Sequence, residues 1–266
     1  LVSTAEEMPQ VRMSKEEELL RERQRMQSVG ITSYHFHERS SRILVPASGK
    51  LGILPIVSDG NNGIIPQQLS SIVGPESETS FSTESGGAVF MDLKWSPDGR
   101  LVAFVRKHDL WVMDSVTGRE RRLTRCEFAD GHAEEEDIVD ISNGEAEYII
   151  QEEFSRYTGY WWCPEIVGST DAKGTKTIEY RIMFMRVDSS MVPIVDIPQL
   201  TMEKGVDRFR YPRVGAPNAR ATPCTVRVPG CSAAGPTPGN RDSMDTDISD
   251  SDWAKWTLEG EVDESM

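Results

Sequence analysis

The chain has 266 residues, 38% of them hydrophobic, with 43 acids against 29 bases for a net charge of −14. At roughly 150 residues per domain this allows one large domain or two modest ones. The acidic balance argues against a nucleic-acid partner, because phosphate-backbone binding relies on basic stripes. No apolar run reaches the roughly 18 residues that cross a bilayer, and the charged N-terminal stretch does not read as a secretory signal. Four cysteines (Cys126, Cys163, Cys224 and Cys231) lack ligand-like spacing and suit a reducing compartment, so a cytoplasmic location is expected. The chain opens on Leu1 rather than Met, as a piece of something longer would.

Residues 1–13 are expected to be disordered. Residues 14–29, SKEEELLRERQRMQSV, predict a helix: Ser14 and Glu17 have capping-box spacing, Glu17 and Arg21 sit at i,i+4, and Gly30 is placed to end it. A short strand over 31–37 follows, with Tyr34 and Phe36 on one face and His35 and His37 on the other. A His-x-His face can bind metal, but no third ligand accompanies it, so neither a metal nor a cofactor is expected. Residues 50–90 carry only weak strand signals.

The middle of the chain predicts β structure. Ser96-Pro97-Asp98-Gly99 is strong turn chemistry. Residues 101–105 and 110–113 are apolar runs separated by Arg106, Lys107, His108 and Asp109, as in a hairpin, and 119–124 reads as a third strand. This rhythm fits a propeller blade, or any antiparallel meander. Residues 178–187 and 191–197 look like a second hairpin pair around Ser189-Ser190. Residues 206–214 are aromatic and basic, in a stretch too short to assign.

The acids are concentrated. Residues 127–153 hold 11 acids and no Lys or Arg, and residues 230–266 hold nine acids against Arg241 and Lys255. The Gly/Pro-rich and acidic stretch 215–266 has no periodic apolar pattern and is expected to be disordered. Trp253 and Trp256, three apart within it, could form one turn of helix on a partner.

No self-contained catalytic machinery is visible. Gly230-Cys231-Ser232-Ala233-Ala234-Gly235 is one residue too long for a nucleophile elbow, and all four histidines precede its serine. In Gly168 to Lys176 the lysine comes before the second glycine, unlike a phosphate loop. Cys126 and Cys163 lack a His partner by spacing.

The unusual stretch is residues 151–164, QEEFSRYTGYWWCP. Glutamate pairs are ordinarily solvated helix faces, and Tyr-Trp-Trp is ordinarily core. In the functional reading, two carboxylates on a short helix accept charge-assisted bonds from a primary ammonium, which has three donors and a compact charge. The surrounding acidic segment adds a field that favours cations.

That stretch, with EEELLRERQRMQSVGITSYHFH at 16–37, KHDLWVMDSVTGRERRLT at 107–124 and DRFRYPRVG at 207–215, resembles the dipeptidyl peptidase 8 and 9 subfamily of the dipeptidyl peptidase IV group. The resemblance spans roughly residues 14–220. It implies a mainly β fold: an incomplete β-propeller over 14–214, with the N-terminal helix and a short helix bearing the glutamate pair. It also implies a serine exopeptidase that releases N-terminal X-Pro or X-Ala dipeptides, with Glu152 and Glu153 gripping the substrate's amine. Catalysis would belong to an α/β-hydrolase domain absent from this chain, which alone should be inactive. A homodimer is the expected assembly of the full-length family form. The subfamily's arginine before a Met-Asp-Pro-Lys-like run is missing here, where Met91-Asp92-Leu93-Lys94 follows Gly86-Gly87-Ala88-Val89-Phe90. The alternative reading is a non-catalytic, propeller-derived binding or regulatory protein.

Overall fold

Residues 101–105, LVAFV, are apolar without interruption, the pattern of a strand covered on both faces. A computed structural model describes residues 22–23, 33–47, 50–58, 64–66, 70–71, 90–116, 118, 120–128, 138–170, 176–198 and 206–229. The first sheet contains β1 (His35–His37), β2 (Arg42–Ala47), β3 (Lys50–Ser58), β4 (Ile64–Pro66) and β5 (Ser70–Ser71). Long β3 pairs with β2, β4 and β5, so the weakly patterned region does form sheet. The second sheet is a meander of four antiparallel strands: β6 (Met91–Trp95), β7 (Leu101–Arg106), β8 (Asp109–Asp114) and β9 (Glu120–Arg122).

Strand β7 lies between two cores, and its period-two alternation divides it between them. Leu101, Ala103 and Val105 face one cluster with Leu110 and Val112 of β8, packed against Tyr160, Tyr180, Ile182 and Phe184. Val102 and Phe104 face the other, with Met113, Leu93 and the first sheet's Leu44, Leu51 and Ile53. The sheets are therefore stacked face to face as successive blades, and the chain is mainly β, an incomplete propeller.

The predicted turns hold. Ser96 Oγ donates to Asp98 Oδ1 at 2.7 Å, and the Gly99 amide donates to the Ser96 carbonyl at 2.9 Å. The β7–β8 turn places Lys107 at φ 51° and His108 at φ 61°, the two positive values of a type I′ hairpin.

The third sheet comprises β10 (Glu127–Phe128), β11 (Val139–Asn143), β12 (Tyr160–Trp162), β13 (Val167–Thr170), β14 (Lys176–Asp188) and β17 (Arg220–Pro229). Along one edge of β14, β13, β12 and β11 pair in turn; β17 pairs with the other edge from Glu179↔Pro229 to Asp188↔Arg220. The remaining strands, β15 (Ile194–Pro198) and β16 (Val206–Arg210), form a separate hairpin.

Two expectations are corrected here. The 191–197 run does not pair with 178–187; β15 pairs with β16 instead, because β11, β12 and β13 occupy one edge of β14 and β17 the other. Disorder does not begin at 215. Within β17, Cys224, Val226 and Val228 are buried at every second position, which gives a Pro- and Thr-rich segment a core-facing side. The β15–β16 hairpin is tied down by Arg210, which donates to the Val192 carbonyl at 2.7 Å and pairs with Asp140.

The expected helix over 14–29 lies outside the described residues except Glu22 and Arg23, which are helical. The 1–13 and 230–266 expectations also lie outside them, as do the Gly230–Gly235 run, Trp253 and Trp256. Among the described residues, no helix is long and apolar enough to cross a membrane.

Candidate functional site

The acidic segment ends in helix α1 (Tyr148–Phe154), which carries the glutamate pair. Its N-terminus is capped by Glu147, whose carboxylate accepts the amides of Ile149 at 2.9 Å and Ile150 at 3.0 Å. That satisfies two of the orphan donors at a helix start. Its C-terminus closes on Ser155 in the left-handed region at φ 52°. The chain then returns through Gly159, where a Cβ would overlap the backbone of Glu145. Only glycine permits this approach, and the Gly159 carbonyl accepts the Met185 amide at 2.8 Å.

No residue of α1 is buried. Glu152 and Glu153 are both exposed, as is Phe154. Glu152 lines a cavity of about 730 Å³; Glu153 does not contribute to its lining. One wall is polar, with Glu22, Arg23, Gln151 and Glu152, and another is formed by Val195, Ile197, Phe209 and Tyr211 from the β15–β16 hairpin and the residue after it. Tyr148 stands between them, its ring centroid 5.3 Å from that of Tyr211. The space thus combines apolar surface with charged surface on which Glu22 and Glu152 are matched by Arg23 and Arg210.

Arg23 is the side chain that sequence reasoning missed. Its Nη1 donates to Gln151 Oε1 at 2.8 Å, its Nε lies 3.4 Å from Glu152 Oε1, and its guanidinium carbon sits 5.1 Å from the Tyr148 ring centroid. Tyr157 Oη donates to the Arg23 carbonyl at 3.4 Å. Within the run RERQR nothing marks Arg23 apart from its neighbours; only the fold across more than a hundred residues does.

The chain that leaves α1 meets a half-buried polar network built on the Met91-Asp92-Leu93-Lys94 run. A register shift between Met91 and Lys94 places Asp92 at φ 52°. Lys94 Nζ donates to Asp92 Oδ2 at 2.8 Å and to the Tyr160 carbonyl at 2.7 Å, and lies 3.8 Å from the Tyr160 ring centroid. Thr158 Oγ1 contacts both Lys94 and Asp92. Burial pushes the Asp92 carboxyl up, against the opposing Lys94 charge, and pushes the Lys94 ammonium down, against the Asp92 charge. Burial, then the Asp92 charge, raises the Tyr160 phenol well above its ordinary value. This network fixes the loop between α1 and β12.

Ahead of α1 in the chain, His108 Nδ1 lies 3.1 Å from Glu145 Oε2, and the Asn143 amide donates to the His108 carbonyl at 2.8 Å. Asp109, fully buried, accepts Thr124 Oγ1 at 2.7 Å, the Cys126 amide at 3.0 Å and Asn143 Nδ2 at 3.2 Å. The hairpin tip of the second sheet therefore positions the entry to α1.

The other sequence candidates lie elsewhere. His37 contacts Ser40 Oγ at 2.8 Å and the Pro97 carbonyl at 3.3 Å; His35, on the same short strand, has its pKa lowered chiefly by burial. Among the described residues no cluster of three or more ligands could hold a metal. Burial pushes the Cys126 thiol up to about 11, which opposes a nucleophilic role. Of the 168–176 run, residues 168–170 and 176 belong to the paired strands β13 and β14, and 171–175 lie outside the described residues.

Residues 71–258 match the family model for the dipeptidyl peptidase IV (DPP IV) N-terminal region, which extends past the residue 220 at which the sequence reading ended the resemblance. The chain is similar to dipeptidyl peptidase 8 of Homo sapiens, 37% identical over 211 residues, covering 79% of this chain and 22% of that protein. It is also similar to dipeptidyl peptidase 8 of Mus musculus, 36% identical over 211 residues with the same coverage. Dipeptidyl peptidase 4 of Felis catus is 28% identical over 131 residues, covering 47% of this chain and 14% of that protein. The chain spans about a fifth of the length of the first two relatives.

Proposed function

Because this chain belongs to the dipeptidyl peptidase IV N-terminal-region family, we propose that it is the propeller portion of a cytoplasmic prolyl dipeptidyl peptidase and receives the free N-terminus of a peptide at Glu152 and Glu153. The observation that carries this reading is the exposed glutamate pair on α1, of which Glu152 lines a cavity that joins charged and apolar surface.

An ammonium offers three hydrogen-bond donors, and two neighbouring carboxylates can take two of them as charge-assisted bonds. The first residue's side chain would then lie toward Val195, Ile197 and Tyr211. Fixing the amine fixes the peptide's register, so a hydrolase module working with this propeller would meet the bond after the second residue. Bond cleavage is assigned to that module, and the role of these residues is to bind and orient.

The test is binding. A fluorescent peptide beginning Ala-Pro with a free amine should bind the full chain at least roughly tenfold more tightly than its N-acetylated form, the order expected for charged hydrogen bonds. Glu153→Gln should remove that preference. Equal binding of the two peptides would overturn the assignment.

A further inference from the structure

We infer that Arg23 is a built-in competitor for the incoming amine: it shields Glu152, so that Glu153 is the carboxylate that first engages a peptide N-terminus. The inference rests on the amine-docking reading above and adds an asymmetry within the pair. Arg23 reaches Gln151 Oε1 at 2.8 Å and Glu152 Oε1 at 3.4 Å, and its guanidinium is stacked on Tyr148 at 5.1 Å. Among the described residues no cation pairs with Glu153.

The two glutamates therefore differ in occupancy although they adjoin in sequence. A second cation arriving at Glu152 meets the guanidinium already there, and two like charges within a few ångströms of one carboxylate repel each other. The contact to Glu152 is the longer of Arg23's two polar contacts, while Gln151 and the Tyr148 ring hold the side chain independently. Arg23 can release Glu152 without leaving its seat. Binding then proceeds by contact with Glu153, followed by exchange of the guanidinium for the ammonium at Glu152.

The experiment measures affinities of the free-amine and N-acetylated Ala-Pro peptides for the full chain and its variants. Arg23→Gln, which keeps hydrogen-bonding capacity and loses charge, should bind the free-amine peptide roughly three- to tenfold more tightly and leave the acetylated peptide unchanged. Arg23→Lys should stay near the parent protein. Glu152→Gln should cost little in the parent and much more in the Arg23→Gln background, the non-additivity that marks a direct coupling. Glu153→Gln should cost heavily in both. If the parent prefers the free amine and Arg23→Gln binds it no more tightly, the shielding role is overturned while the amine site stands. If no protein in the series discriminates the two peptides, the amine site itself falls, and the shielding role with it. A second readout needs no variant: the Arg23 Nε–H resonance of the parent should shift on addition of the free-amine peptide and not of the acetylated one. An unmoved resonance alongside free-amine binding overturns the exchange.

Discussion

Tyr180 on β14 donates its phenolic hydrogen to Asp98 Oδ2, in the turn between β6 and β7, at 2.7 Å. Eighty-two residues separate them in sequence, and the bond crosses from the third sheet to the second. Asp98 Oδ1 meanwhile accepts Ser96 Oγ and the Arg100 amide, so one carboxylate orders its own turn and anchors a neighbouring blade. Tyr180→Phe keeps the ring in the core and removes only that anchor. It should lower stability by about 1–3 kcal/mol, the cost of a broken bond to a charged acceptor, as measured by denaturant unfolding. An unchanged midpoint would show that this bond adds nothing to the joining of the two blades.

The pH dependence of Asp92 has a definite sign. Burial raises its carboxyl in the folded state above the ordinary 3.8, with Lys94 opposing. As pH climbs from that ordinary value, the unfolded chain loses this proton before the folded chain does. The folded state binds more protons in the window, and this residue's contribution to stability falls until the raised value is passed. The difference in unfolding free energy between the parent and Asp92→Asn should therefore decline as pH rises above about 3.8 and then level off. A difference that grew with pH would mean that Lys94 outweighs burial.

Ser155 closes α1 at φ 52°, a conformation that L side chains adopt at a cost. Ser155→Gly should stabilise the protein by about 0.5–1 kcal/mol, and Ser155→Val should destabilise it. Thermal melts of the two variants would check this. If glycine lowers the melting temperature, the Ser155 side chain contributes more than its backbone strain costs.

Cys126 should be slow to alkylate. With its thiol pushed from the ordinary 9.0 to about 11, its thiolate population at pH 8 falls roughly 100-fold. Mass spectrometry after a timed iodoacetamide exposure should find Cys126 modified far more slowly than a model peptide thiol. Equal rates would mean that the thiol is not desolvated.

The sheet that reads most clearly from sequence is the second one, because its turns are marked by Ser-Pro-Asp-Gly and its strands by uninterrupted apolar runs. The helix with Glu152 and Glu153 is also legible, since a family resemblance isolates those residues. What escapes is every relationship set by distance along the chain. β14 and β15 look like consecutive hairpin strands, yet β14 takes β17 as a partner across an excursion that includes β15 and β16. The alternation of Cys224, Val226 and Val228 is visible in retrospect but hidden by Pro223 and the Gly/Pro-rich flanks. Arg23 is one base among several, and its position over Tyr148 depends on the placement of a distant segment.

Strands β11 and β12 both terminate on the same stretch of β14, with Asn143 opposite Arg186 and Tyr160 opposite Phe184. The intervening residues, α1 included, thus form an excursion whose entrance and exit are fixed a few ångströms apart on one rigid rail. Such an excursion can be lengthened, shortened or exchanged without re-threading the sheet. The segment can therefore diversify here at little risk to the scaffold, much as a tool head is swapped on an unchanged handle.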